Sequence, residues 1–225
     1  MGFFHTHFPN AMGLHDEFWQ ATLQTLQMVF WASLVAGFFG IMLGVIMTIT
    51  NRGSILENTY LYSFLEKVIN VFRSIPFVIL LALIIPFTRA IVGTSIGTPA
   101  AIVPVAVATI PFFSRQVENA LLEVNPGIIE AAVAMGSSPL EIIFGVYLKE
   151  GLTGLIRVSA VTIINLINLT AMAGVVGGGG LGNMAIARGH NRFQPDVVWV
   201  STFIIMALVF LSQAIANFFI RKTSH

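Results

Sequence analysis

Five stretches of this chain, residues 28–50, 68–88, 99–115, 155–175 and 197–220, are apolar enough to enter a membrane. Crossing the roughly 30 Å hydrocarbon core takes about 20 helical residues. Inside it every backbone N–H and C=O must find a partner within the protein, so such segments are helices. The expected fold is therefore an all-α integral membrane protein with five transmembrane helices. Only 9% of the residues are charged, against about 25% in soluble domains. The first stretch carries no charge; Arg73, Pro76 and Pro86 interrupt the second, where the prolines predict a kinked helix. The third is short and leans on flanking residues such as Ser114, and Asp196 is expected to cap the fifth.

Basic residues set the orientation, because cytoplasmic segments carry more Lys and Arg. With the N-terminus outside, the cytoplasmic side holds Arg52, Lys67, Arg115, Lys149, Arg221 and Lys222, six in all, against Arg89, Arg188 and Arg192 outside. The expected organisation is an extracytoplasmic tail at 1–18, a membrane domain at 19–220 with a cytoplasmic loop at 116–150, and a cytoplasmic tail at 221–225.

That loop is not a linker. Asn125-Pro126-Gly127 predicts a helix start, with Asn125 as N-cap and Pro126 at the first helical position. The helix runs to Met135, and Gly136 suits the left-handed residue that closes it. Ser138-Pro139-Leu140-Glu141 reads as a capping box that starts a second helix. The first helix is apolar almost all round, with Glu130 its one charge. Such a surface in water needs a cover. It either folds back on the bundle or bilayer, or enters the groove of a soluble partner. A bilayer-lying helix would carry Lys or Arg on its polar face, and this one has none.

Several functions are excluded. A net charge of +1 offers no surface for nucleic acid, and the absence of cysteine removes disulfides and thiolate chemistry. No soluble stretch is long enough for an enzyme domain, and no G-x-x-x-x-G-K-[ST] loop appears, so ATP is not bound here in that manner. Gly177-x-Gly179-x-x-Gly182 matches a dinucleotide fingerprint in form only, since a membrane helix rather than a strand precedes it. That run instead lets a helix end and turn. Asn168-Leu169-Thr170 lies inside a span and is no glycosylation site. The N-terminus lacks the basic start of a secretory signal, and His5, His7 and His15 read as a loose terminus rather than a metal site.

Glu130-Ala131-Ala132, Gly136, Val146 and Leu148 resemble the EAA loop of binding-protein-dependent ABC importer permeases. Lys149 and Thr153 stand where relatives carry prolines, so Gly151 and Gly154 are expected to make the bend beyond Leu148. Asn70–Phe77, Ile85–Arg89, Val92–Gly97, Val117–Glu123, Ala171-Met172 and Gly179-Gly180-Leu181-Gly182 are similar to the permease subunit of the methionine ABC importer, and the likeness runs from Trp19 to Leu211. The resemblance implies a type I ABC importer permease fold in a bacterial inner membrane. It implies a second copy of the chain as partner, with two ATPase subunits and an extracytoplasmic methionine-binding protein. The chain itself would hold no cofactor and no metal and catalyse nothing. ATP and Mg would sit on the ATPase subunits, and Glu130, Ala131, Ala132, Met135 and Gly136 would couple hydrolysis to transport.

Thr162, Asn165, Asn168 and Met172 recur at helical spacing and form a soft polar stripe on the fourth span. They either bond neighbouring helices or line a path for a net-neutral amino acid. Arg73 either snorkels to the interface or lines a pore mouth, and Arg157 snorkels. Gly40-x-x-x-Gly44 has the close-packing spacing. An alternative keeps the architecture and changes the cargo to another small amino acid or derivative. An ATP-independent transporter or channel would place carboxylates at midplane; here all ten acids lie outside the spans or at their ends. A mere structural anchor leaves the stripe and the broken loop unexplained.

Overall fold

The computed structural model describes residues 8–223, and no strand occurs among them. The helices in chain order are α1 (His15–Thr50), α2 (Thr59–Ser74), α3 (Phe77–Leu83), α4 (Ile85–Val92) and α5 (Thr98–Leu122). There follow α6 (Pro126–Ala134), α7 (Pro139–Ile142), α8 (Leu152–Ala173), α9 (Gly180–Asn183) and α10 (Pro195–Thr223). A wide π turn at Ile143–Tyr147 and a last turn at Leu148–Glu150 extend α7. Among the described residues four helical segments are long and apolar enough to cross a membrane: α1, α5, α8 with its continuation to Gly178, and α10. Of the apolar window in α5, 56% is buried within the chain, against 0% in α10.

The second expected span is not a kinked helix. Residues 59–92 form three helices, and the prolines start helices rather than bend one. Ile75 closes α2 in an extended conformation, φ −78° and ψ 120°, as the residue before a proline prefers. Pro76 is then the N-cap of α3, and Pro86 lies in the first turn of α4, where its missing N–H costs nothing. The helix expected at 28–50 begins at His15, so part of the expected N-terminal tail is helical. His5 and His7 lie outside the described residues.

The chain divides into two compact units. The first comprises residues 1–34, 76–107 and 163–212. One core gathers Met28, Ala32, Val105, Leu166 and Ala173, and a second gathers Phe18, Ala21, Leu181, Met184 and Val197. Asp196 corrects its expected role. It is the second residue of α10, is buried, and accepts bonds from the Asn10 and Ala11 amides at 2.8 and 3.0 Å. It pins the N-terminal turn instead of capping its own helix. The Gln24 side chain accepts the Gly180 amide at 2.8 Å, and the Thr25 hydroxyl accepts the Leu181 amide at 2.9 Å. The glycine run thus ends α8 and starts α9 against α1.

The second unit comprises residues 35–75, 108–162 and 213–225. Its core joins Ile49 of α1, Phe113, Val117 and Leu121 of α5, Ala132 of α6, and Ile143 and Tyr147. In lipid, apolar burial drives helix association weakly and close packing matters more. Gly40 and Gly44 supply it: a Cβ on either would come within 2.6 Å of Phe113 or Val117. The expected bend at Gly151 and Gly154 is milder than foreseen. Gly151 is right-handed, φ −76° and ψ −2°, and Gly154 lies inside α8. A Cβ on Gly151 would meet the Tyr147 carbonyl at 2.6 Å and Leu121 at 2.8 Å, so this glycine serves close approach rather than a turn.

Candidate functional site

The loop after α5 is built from caps outward. Asn125 Oδ1 accepts the Gly127 amide at 2.9 Å and Pro126 opens α6, as the sequence predicts. At the other end the Gly136 amide reaches the Val133 carbonyl at 2.9 Å and the Ser137 amide reaches that of Ala132 at 3.1 Å. This is a Schellman closure, and Gly136 carries its left-handed residue at φ +82°. Ser138 and Glu141 then form the predicted capping box: the Ser138 amide and hydroxyl donate to Glu141 Oε2 at 2.7 and 2.8 Å. Those bonds, the amide's first, hold the Glu141 carboxyl below its ordinary range. Both helix ends are fixed locally, so α6 is a short rigid rod.

Only one edge of that rod is buried. Ala132 packs into the core of the second unit with Ile129 beside it. Glu130, Ala131, Val133, Ala134 and Met135 are exposed, Met135 at 79%. Leu140 and Phe144, 66% and 67% exposed, extend the apolar surface beyond the glycine. Glu130 makes no ion pair among the described residues and shares the wall of a small cavity with Arg52 and Tyr147. The structure therefore brings Glu130, Ala131, Met135 and Gly136 onto one accessible rod, and turns Ala132 inward to anchor it.

The fourth-span stripe is placed differently. Thr162 is buried and donates to the Val158 carbonyl of its own helix at 2.8 Å. Asn165 is half-buried, Asn168 and Met172 are exposed, and neither asparagine makes a hydrogen bond among the described residues. No bond within one chain thus supports the packing reading of this stripe. Arg73 lies in the last turn of α2, exposed and without a partner among the described residues, where a cation complements the negative end of the helix dipole.

One feature escaped the sequence reading. Glu118 of α5 is 1% exposed, yet it accepts from the Tyr62 hydroxyl at 2.9 Å and from Arg115 Nη1 at 2.7 Å. Arg115 also pairs with Glu66 at 3.4 Å. A buried charge without such partners would cost several kcal/mol. These contacts tie α2 to the last turns of α5, seven residues before Asn125 caps α6. Arg115 and Glu118 at i and i+3 were the available signal.

The model of the binding-protein-dependent transport system inner membrane component family matches residues 40–225. The chain is 45% identical over 205 residues to the probable D-methionine transport system permease protein MetI of Pasteurella multocida, covering 91% of this chain and 94% of that protein. It is 42% identical over 214 residues to the methionine import system permease protein MetP of Bacillus subtilis, covering 95% and 96%. A solved inward-facing structure of the MetNI methionine ABC transporter superposes with a TM-score of 0.93 at 40% identity, over 95% of this chain and 99% of the other. The capped rod at Glu130–Gly136, the four long apolar helices and these likenesses agree: the chain belongs to the inner membrane components of binding-protein-dependent transport systems.

Proposed function

We propose that this chain is the membrane subunit of an ATP-driven importer that brings methionine into the cytoplasm by alternating access. The observation that carries the reading is the capped, exposed rod of α6. Two copies of the chain form the pore, and the broken segment 59–92 completes five crossings with the N-terminus outside. Each α6 seats in a groove of one ATPase subunit, which holds ATP and Mg; the chain itself holds neither. An extracytoplasmic binding protein delivers the cargo. The names of the relatives support methionine as that cargo. A rod held at both ends passes displacement on, whereas a coil would absorb it. Met135, 79% exposed, is the apolar anchor of the contact, and Glu130 its charged one. Asn165, Asn168 and Met172 face the path between the copies, and Arg73 stands at its mouth.

The test replaces the left-handed residue. A side chain in that conformation costs roughly 1–2 kcal/mol, so Gly136→Val should cut methionine uptake by about tenfold while ATP hydrolysis by the assembled complex continues. Glu130→Gln should lower uptake in the same direction. Methionine uptake that survives removal of every ATPase subunit would sink the reading. Competition by L-methionine, D-methionine and other small amino acids then fixes the cargo.

A further inference from the structure

In the first unit a cavity of about 230 Å³ lies among α3, α4, α5 and the end of α8. An apolar cavity of about 150 Å³ already accepts a molecule the size of benzene. Its walls include Val78, Leu81, Ala82, Thr88, Ala101 and Pro104, and none of its lining residues is charged. One lining group is out of place there. Thr88 is 4% exposed, lines the cavity, and its hydroxyl makes no hydrogen bond among the described residues. Other buried helical threonines of this chain bond backward to their own helix: Thr25 to Ala21 at 3.0 Å, Thr48 to Gly44 at 2.9 Å and Thr162 to Val158 at 2.8 Å. The hydroxyl is not sealed off: it keeps contact with the cavity it lines, where a guest can supply the missing partner.

The first turn of α5 borders the same space through Gly97 and Ala100. The amides of Thr98 and Ala100 have no intrahelical acceptor by their position, and a helix start of this length favours a carboxylate. Gly97 is not among the free donors, because its amide bonds the Gly177 carbonyl at 3.0 Å.

We infer that this cavity is a binding site for a small net-neutral amino acid with an unbranched apolar side chain. The side chain fills the space between Val78, Leu81 and Pro104, the Thr88 hydroxyl donates to the carboxylate, and the first turn of α5 faces its charge. The absence of charge from the walls disfavours cargo with a charged side chain. This inference rests on the importer reading above and adds a place where the cargo pauses.

The experiment measures binding of radiolabelled L-methionine to the permease–ATPase complex in lipid nanodiscs, with no binding protein present. Saturable binding to the parent complex is expected. Thr88→Val, which keeps shape and removes the hydroxyl, should weaken it by about tenfold, the loss for one hydrogen bond to a charged group. Thr88→Ser should restore it. Ala82→Leu, which fills the space from the α3 side, should abolish it. Equal binding by the parent, Thr88→Val and Ala82→Leu complexes overturns the inference. So does equal loss in Thr88→Ser and Thr88→Val, or an acyl chain occupying the cavity in a map of the methionine-saturated complex. Import by the complete system in proteoliposomes is read separately. No import sinks the importer reading itself; import without saturable binding sinks only the cavity.

Discussion

Two segments of this molecule are broken by prolines, and they are held in different ways. In residues 125–141 each proline follows a residue that caps a helix, Asn125 before Pro126 and Ser138 before Pro139. In residues 59–92 the prolines follow isoleucines, Ile75 and Ile85, which can cap nothing. Both sets of prolines start helices. In the first segment the orphan amides are met locally by side chains, so the geometry is written within four residues. In the second the helix is placed by partners far away in sequence. α2, whose own start is capped by Asn58 accepting the Leu61 amide at 3.0 Å, is held along its length by Tyr62 and Glu66 meeting Arg115 and Glu118 across 49 to 56 residues. A proline therefore marks a helix start in both segments, but only where a polar residue precedes it is that start also closed by a side chain.

The largest test of this contrast removes the distant partner. Glu118→Ala leaves Arg115 and the Tyr62 hydroxyl without their acceptor in a buried place. Breaking such a pair costs about 3–5 kcal/mol, so thermal unfolding of the purified protein should move down by several degrees. Tyr62→Phe removes one neutral-donor bond and should cost about 1 kcal/mol. If Glu118→Ala melts like the parent, α2 is held by apolar contact alone and the contrast fails.

That contrast also explains which parts were legible from residues alone. The caps at Asn125 and Ser138, and the left-handed Gly136, are local chemistry and were read where they stand. The long helices followed from hydropathy, which reports apolar length but not backbone continuity, and so the break at Ile75 looked like a bend. Asp196 was misread because its partners, Asn10 and Ala11, lie 186 and 185 residues away. A capping role was the local guess available at the start of an apolar helix. Gly151 showed the same limit: a glycine predicts freedom, whereas Leu121, which would stand 2.8 Å from any Cβ placed there, demands smallness. The hydroxyl of Thr88 was invisible for a related reason. Only the fold reveals that a threonine in an apolar run lacks its usual backward bond.

A smaller effect separates the two kinds of proline start. Asn125→Ala removes a cap and should cost about 1 kcal/mol, read as faster amide exchange at Gly127 and Ile128. Pro86→Ala should change stability by less than about 0.5 kcal/mol, because a proline in a first turn removes no helical bond. A large gain on Pro86→Ala would instead mean that a continuous helix is being bent there, and the reading of residues 59–92 as three helices would fall.

The smallest effect is a pH dependence confined to the loop. Glu141 is exposed, and its carboxylate accepts both the amide and the hydroxyl of Ser138. Its folded pKa is lowered, so the capping box contributes fully above the unfolded glutamate value, near pH 4.3, and is lost as pH falls through the folded value. Acidification from pH 6 to pH 3 should therefore loosen the start of α7 while the Asn125-capped start of α6 holds, because an amide oxygen does not titrate. Nuclear magnetic resonance shifts of the Ser138 and Gly127 amides report the two ends at once. Equal loss at both would show that the loop opens as one unit and that its two caps are not independent.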